Sequence, residues 1–523
     1  MRISLFTRAA AGTALVAALV AVPAEAVVVA PYVMDPTFNG GSYFLDAFAS
    51  SPAADYTAKR LVRLDNGDVV VAGTVPDLRG GNVGALGLVR YNAAGQRVAW
   101  SNPGAVGYNG NQYIVYNPTS LVPHPIDDIK AIKIYGDRIF VLAETEKSGL
   151  SNTFPPHPIF TGFAADVYVF GVDGSFLASS QVGSYDSGSD NRDFFAGGIV
   201  VYANNVSTFN SPISLAFAGY QVESGIAKPV FNRLTVNSDS TLSGGTGQVY
   251  VNPGVRCNAG CEINGIALGG RLITSTPPRL YLGGSRLNQN KDWDFMAMQV
   301  SSNGALATSF SGDGMAEQPF NLAFGTYEDH GRDIFVVPGG FTTNDDHVFV
   351  AGDVGVNCGD GFGIVKFKSD GTPDTSFGPG GLGRLLFGDS YSSTSVCALP
   401  RTDNRLHAIA VDGNSIAVVG QRNTGSIFIG SSQKFSDAVL AEFDGTGSSI
   451  NTFNKFPFSD TPGVSRTRDS ALWDIVPAGS GTFTATGFVT YSSDAGSLSN
   501  HTQFATARFA PQVDEIFGNG FGG

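Results

Sequence analysis

The chain has 523 residues, 67 of them Gly, with only 15 % charged side chains and a formal net charge of −13. Acidic residues outnumber basic ones by 45 to 32, and no Arg/Lys stripe with interleaved aromatics interrupts the excess, which excludes nucleic acid and anionic lipid as natural partners. Length alone leaves two to four domains open, although closed all-β folds reach this size as one unit.

The chain opens on "MRISLFTRAAAGTALVAALVAVPAEAVVVA", in which Arg2 and Arg8 flank a short basic stretch, Ala9 to Val22 is apolar, and Ala24 and Ala26 enclose Glu25. This is the layout of a secretory signal peptide over 1–26, too short in its apolar core for a retained anchor. A mature chain of 27–523, secreted or periplasmic and with no membrane anchor, is therefore expected. Its charge would be −14, because two Arg and one Glu leave with the peptide.

Next comes "DPTFNGG", a phrase that returns in variant form around Phe310 ("ATSFSGDG"), Phe377 ("DTSFGPGG") and Phe517 ("DEIFGNG"), after Phe38 at the start. A second phrase is a turn followed by an apolar run that ends in a small residue. It closes at Gly73, Glu144, Gly219, Gly284, Gly352, Gly420 and Gly487, at intervals of 71, 75, 65, 68, 68 and 67 residues. Each run reads as a strand ending in a tight turn or a close backbone approach. A third phrase follows each of these, as in "ALGLVRYNAAG" (85–95) and "GFGIVKFKSDG" (361–371), and most copies finish in a hairpin turn of Asn, Asp and Gly. A further strand precedes the second phrase, as in "AKRLVRLDNG" and "LHAIAVDGN".

Four short antiparallel strands in about 68 residues, seven times over and with no helix between them, predict an all-β, seven-bladed β-propeller in one domain, 27–523. A solenoid of twenty- to thirty-residue coils fits the period less well. The matching phrases at the two ends predict that the termini meet to close the ring and remove free sheet edges. Phe38, Phe310, Phe377 and Phe517 are expected to wedge between blades, and Gly73, Gly284, Gly352, Gly420 and Gly487 to mark the repeated strand.

The combined pattern of Asp-x-x-Phe-Gly-x-x-Gly, an apolar strand, a Gly turn, "VVVAG" or "VFVAG", then "LVRYNAAG" or "IVKFKSDG", resembles the delta-60 repeat family of bacterial propeller-like extracellular proteins. Residues 348–387 carry it best, through Gly352, Lys366, Phe367, Asp370, Gly371, Asp374, Phe377, Gly378 and Gly381, and Gly73, Arg90, Tyr91 and Gly95 repeat it. The resemblance implies architecture and supplies no catalytic motif.

Four cysteines in an exported chain favour disulfides: Cys257 with Cys261 across "CNAGC", and Cys358 with Cys397 between neighbouring units. The spacing does not suit a zinc knuckle. An acidic residue recurs at the entry of the third phrase, at Asp166, Asp294 and Asp437, where it can cap backbone N–H groups. No cofactor is expected. The loops 311–314, 357–361 and 186–193 are the nearest to calcium loops, and none has a full ligand set.

Six scattered His (His124, His157, His330, His347, His407 and His501) include no metal-binding pair, and no nucleophile elbow has a helix to sit on. Catalytic residues are not legible. Two functions are open: a secreted non-catalytic scaffold that binds a protein or glycan through long loops (96–122, 144–164 and 184–210), which is the preferred reading, or an extracellular polymer hydrolase or lyase with its site at the channel mouth. Neither the ligand nor the oligomeric state can be read from the chain.

Overall fold

The computed structural model describes residues 32–46, 55–76, 84–103, 107–116, 126–150, 158–185, 194–205, 212–244, 248–252, 254–270, 277–322, 328–339, 345–356, 359–387, 404–425, 434–456, 469–492 and 500–511. The expected signal peptide and Phe517 lie outside them, as do Cys358, Cys397 and parts of the three long insertions (104–106, 117–122, 151–157, 186–193 and 206–210).

Within them the chain is all-β. Each stretch of alternating or continuous apolar residues forms a strand, and the Asn/Asp/Gly turns reverse it. Gly67, Gly95, Gly174, Gly304 and Gly371 take positive φ in these hairpins, a conformation that costs Gly little. Asp173, Asp370 and Asp444 fix the same turns by accepting from the backbone N–H and hydroxyl of Ser175, Thr372 and Thr446.

The expected ring of seven separate four-stranded blades is corrected by the hydrogen bonding. Six sheets are formed, of five, four, five, four, four and nine strands in chain order, and no sheet closes into a ring. The sheets resemble propeller blades. The first five begin with Thr57–Arg63, Ile126–Tyr135, Phe194–Ala203, Cys261–Leu268 and Asp329–Val337. The nine-stranded sheet takes in two sequence units, one starting at Asn404–Asp412 and one at Asp469–Gly479, because Ser436 pairs in parallel with Asp469 and so joins them. The Asp469 carboxylate strengthens that join by accepting from the Ser436 N–H at 2.8 Å. The strands Tyr32–Met34 and Phe44–Asp46 pair with Asn500–Pro511 in the same sheet. A sequence period counts chain units, whereas a sheet is defined by backbone pairing, and one inter-unit bridge is enough to separate the two counts.

Neighbouring sheets are held by apolar packing rather than by a closed hydrogen-bond ladder. One core joins Phe140 and Leu142 to Phe194 and Phe217 of the next sheet, and another joins Tyr281 and Phe295 to Val348 and Val350. Phe38, Phe310 and Phe377 are 1 %, 0 % and 0 % exposed. Beside each of them the chain bonds to the hairpin turn of the following unit, through Asn39 N–H to the Ala94 carbonyl, Ser311 N–H to Asp370 and Gly378 N–H to Thr446. The Asp of the phrase ties down the third strand: Asp35 pairs with Arg508 at 2.7 Å and Asp374 with Lys366 at 3.0 Å, each cation lying over the phrase's own Phe.

Candidate functional site

The second strands explain the recurring glycines. Gly73, Gly284, Gly352, Gly420 and Gly487 each face a first-strand carbonyl (Thr57, Glu262, His330, Arg405 and Ala471) so closely that a Cβ would collide with it. That approach occurs where the first strand is bulged. Each of the seven first strands has a register skip near this approach, at Lys59, Lys130, Gly197, Asn264, Arg332, His407 and Trp473, and two of them carry a second, at Asp127 and Ala478. A bulge re-aims its extra residue away from the alternating pleat. Six of the seven, all but Lys59, line a cavity of about 190 Å³ enclosed by the first strands, together with Arg60, Ala196, Arg405 and Leu406. A second cavity of about 130 Å³ shares Arg60, Lys130 and His407 and adds Lys133, Asp333 and Asp474 further along the strands.

The two cavities differ in charge. The larger has four cations, Arg60, Lys130, Arg332 and Arg405, and no carboxylate among its lining residues. Arg60 is fixed by three backbone carbonyls, donating to Lys130 at 2.6 Å, Lys59 at 2.9 Å and Trp473 at 3.2 Å. Behind the wall Lys130 pairs with Asp128 at 3.1 Å and Glu144 at 3.4 Å, and Arg332 with Asp353 at 2.8 Å. Arg405 is exposed and makes no ion pair among the described residues.

His407 stacks on Trp473 with ring centroids 3.9 Å apart, and Lys59 Nζ lies 3.7 Å from the centroid of the same indole. Burial and then the charges of Lys59, Arg60, Arg332 and Arg405 hold the His407 imidazole well below its usual range, so it is neutral at pH 7. Burial, together with Arg60 and Lys130, also lowers the Lys59 ammonium, against the pull of Asp128. His407 Nε2 and Trp473 Nε1 are buried without a hydrogen-bond partner among the described residues.

The acids of the second cavity are tied to neighbouring strands. Asp474 accepts from Leu61 N–H at 2.9 Å and Asp333 from Ile409 N–H at 3.0 Å. Burial raises both carboxyls, Asp474 to about 6 despite the opposing charge of Arg60. Asp128 behaves oppositely: burial opposes its ionisation, but Lys130, Lys59 and Arg60 hold it at about 2.

A separate carboxylate cluster lies between the fourth and fifth sheets. Asp292, Asp294 and Asp329 are 8 %, 4 % and 1 % exposed, and the Oδ1 of each is buried without a partner among the described residues. Burial and then the charges of Asp292 and Asp294 push the Asp329 carboxyl up to about 8, while burial, Asp294 and Glu328 push Asp292 to about 6. No three His, Cys, Asp or Glu among the described residues are grouped so as to hold a metal ion.

The residues singled out from sequence are scattered by the fold. Cys257 and Cys261 form a disulfide in the approach to the fourth sheet, with Cα atoms 5.3 Å apart. Asp313 of the loop 311–314 pairs with Arg256 at 2.6 Å. Asp294 accepts from the Asn288 side chain at 2.9 Å, not from a backbone amide. His407 alone of the His among the described residues lines the central cavities. The other bulge residues escaped sequence reading because their identities differ from unit to unit; the available signal was their position, 13 to 22 residues before each repeated small residue. No helix among the described residues is long and apolar enough to cross a membrane.

No family model matches the sequence, so the delta-60 resemblance rests on the quoted residues alone, and no curated protein matches it either. Solved structures align over long stretches at low scores. Drosophila Semaphorin 1a, extracellular domains 1-2, has 10 % identity and a TM-score of 0.39, covering 89 % of this chain and 88 % of that one. A variant of the Synechocystis apocarotenoid oxygenase has 11 % identity and a TM-score of 0.37, covering 70 % and 69 %. The Penicillium chrysogenum alpha-L-arabinanase complexed with arabinobiose has 8 % identity and a TM-score of 0.32, covering 59 % and 80 %. Likeness at this level carries none of their activities to this chain.

Proposed function

We propose that this is an exported, delta-60-like protein that processes a glycan polymer, with its working site in the central cavity rather than on the long loops. The convergence of bulged residues from six of the seven first strands on one cavity carries this reading. Five of those bulges supply a side chain to a place that regular pleating would leave to the sheet core. Two of those side chains, His407 and Trp473, stack face to face with Lys59 against the same indole, which leaves the outer side of the imidazole to take the apolar side of a sugar ring.

Acid–base groups stand next to that face. His407, neutral at pH 7, can accept a proton, and Asp474, at about 6, can give one. Both line the smaller cavity. The bonds from Asp474 to Leu61 N–H and Ile475 N–H fix its carboxyl in place without using all of its lone pairs.

The test is incubation of the mature protein with a panel of polysaccharides, reading new chain ends, beside calorimetric binding of the same polymers. New ends should appear with the wild type and fall at least a hundredfold in D474N while binding persists, and in H407A with binding weakened as well. Binding without cleavage would return the protein to the scaffold reading, and no binding by any glycan would end the proposal.

A further inference from the structure

We infer that the ligand of the central cavity is an anionic sugar residue, carrying a carboxylate or a sulfate group, held by Arg60, Lys130, Arg332 and Arg405. The inference rests on the glycan reading above and names its substrate class.

Its ground is a local reversal of charge. The chain carries 32 basic against 45 acidic side chains, yet the lining of the larger cavity includes four cations and no acid. Those cations come from four different strand segments, two of them, Lys130 and Arg332, through bulges. Charges of one sign brought together behind low-dielectric walls repel one another, and the fold offsets them only from behind the wall or from the adjoining cavity, with no acid in this lining. The nearest carboxylates stand outside this lining: Asp128, Glu144 and Asp353 lie behind Lys130 and Arg332 and orient their cationic heads, and Asp333 and Asp474 line the adjoining cavity that shares Arg60.

A second, independent sign is the state of the aromatic pair. His407 Nε2 and Trp473 Nε1 are polar atoms sealed from water with no partner among the described residues, beside the cations and on the same wall. Buried donors and acceptors are ordinarily satisfied, so a ligand rich in oxygen atoms is the natural complement. A sugar acid meets each feature: its ring packs on the outer side of the imidazole, its hydroxyls face the orphaned nitrogens, and its anionic group faces the guanidinium groups, whose planar forks suit a carboxylate or sulfate. A neutral sugar would leave Arg405, which makes no ion pair among the described residues, without a counter-charge.

The test uses the mature protein and three oligosaccharides of equal length: a polygalacturonate fragment, a sulfated galactan fragment and a neutral galactan fragment, titrated calorimetrically at 50 and 300 mM salt. At least one anionic fragment should bind ten times or more tighter than the neutral one, the preferred anion identifying the group as carboxylate or sulfate. The added salt should weaken its binding severalfold. R405E should abolish the preference, and since Arg405 is exposed and makes no ion pair among the described residues, that variant should fold. R332Q, with its fold checked by circular dichroism, should weaken anion binding tenfold. Equal binding of neutral and anionic fragments would overturn this inference and leave the glycan reading standing. Binding by none of the three would remove both, and anion binding unchanged in R405E and R332Q would place the anion site outside the cavity.

Discussion

Replacing Asp329 with Asn should make the protein markedly less sensitive to alkaline pH. Asp329 is 1 % exposed, its Oδ2 accepts from Phe320 N–H at 3.0 Å, its Oδ1 has no partner among the described residues, and Asp292 and Asp294 are close enough to repel its charge. The groups facing the cluster are Arg286, which favours ionisation of Asp294, Glu328, which opposes that of Asp292, and Arg384, whose charge feels Asp329. The folded carboxyl titrates at about 8 against 3.8 when unperturbed, so the folded state holds the proton more tightly than the unfolded chain. The resulting stability is fully present below about pH 4 and is lost as pH rises toward 8. Between pH 5 and pH 9 the wild type should lose up to about 4 kcal/mol from this group, some three pH units at about 1.4 kcal/mol each. Asn keeps the acceptor for Phe320 N–H and carries no charge, so D329N should retain only the smaller slope from Asp292 near pH 6. Guanidinium unfolding at pH 5, 7 and 9 measures the difference. If the two proteins lose stability in parallel over that range, Asp329 is already ionised in the fold and the burial argument fails.

Two other outcomes follow from the bulged strands. Arg60→Ala removes the donor shared by the carbonyls of Lys59, Lys130 and Trp473 and should cost about 3 kcal/mol in denaturant unfolding; loss of the Arg60 charge should also move the Asp474 titration upward, visible as a shift of the alkaline limb of the pH–rate profile to higher pH. Gly352→Ala drives a methyl into the His330 carbonyl and should destabilise by about 1–3 kcal/mol, with Arg332 displaced and anion binding weakened alongside, whereas unchanged stability would show that the close approach is relaxed in solution.

The chain's period, its strand and turn sequence, and the residues that repeat because backbone geometry demands them were all legible in the sequence. Gly73 and its equivalents recur because a carbonyl leaves no room for a Cβ, and Phe38, Phe310 and Phe377 recur because each fills the same gap beside a neighbouring hairpin. Repetition reports what every unit needs, which is scaffold. It cannot report what only the assembled molecule needs. Lys130, Asn264, Arg332, His407 and Trp473 occupy equivalent bulges with unlike side chains, so they form no motif, and they meet only because seven first strands enclose one space. The number of sheets was likewise settled in three dimensions, by the single parallel pairing of Ser436 with Asp469, a contact between residues 33 positions apart that no periodic pattern specifies.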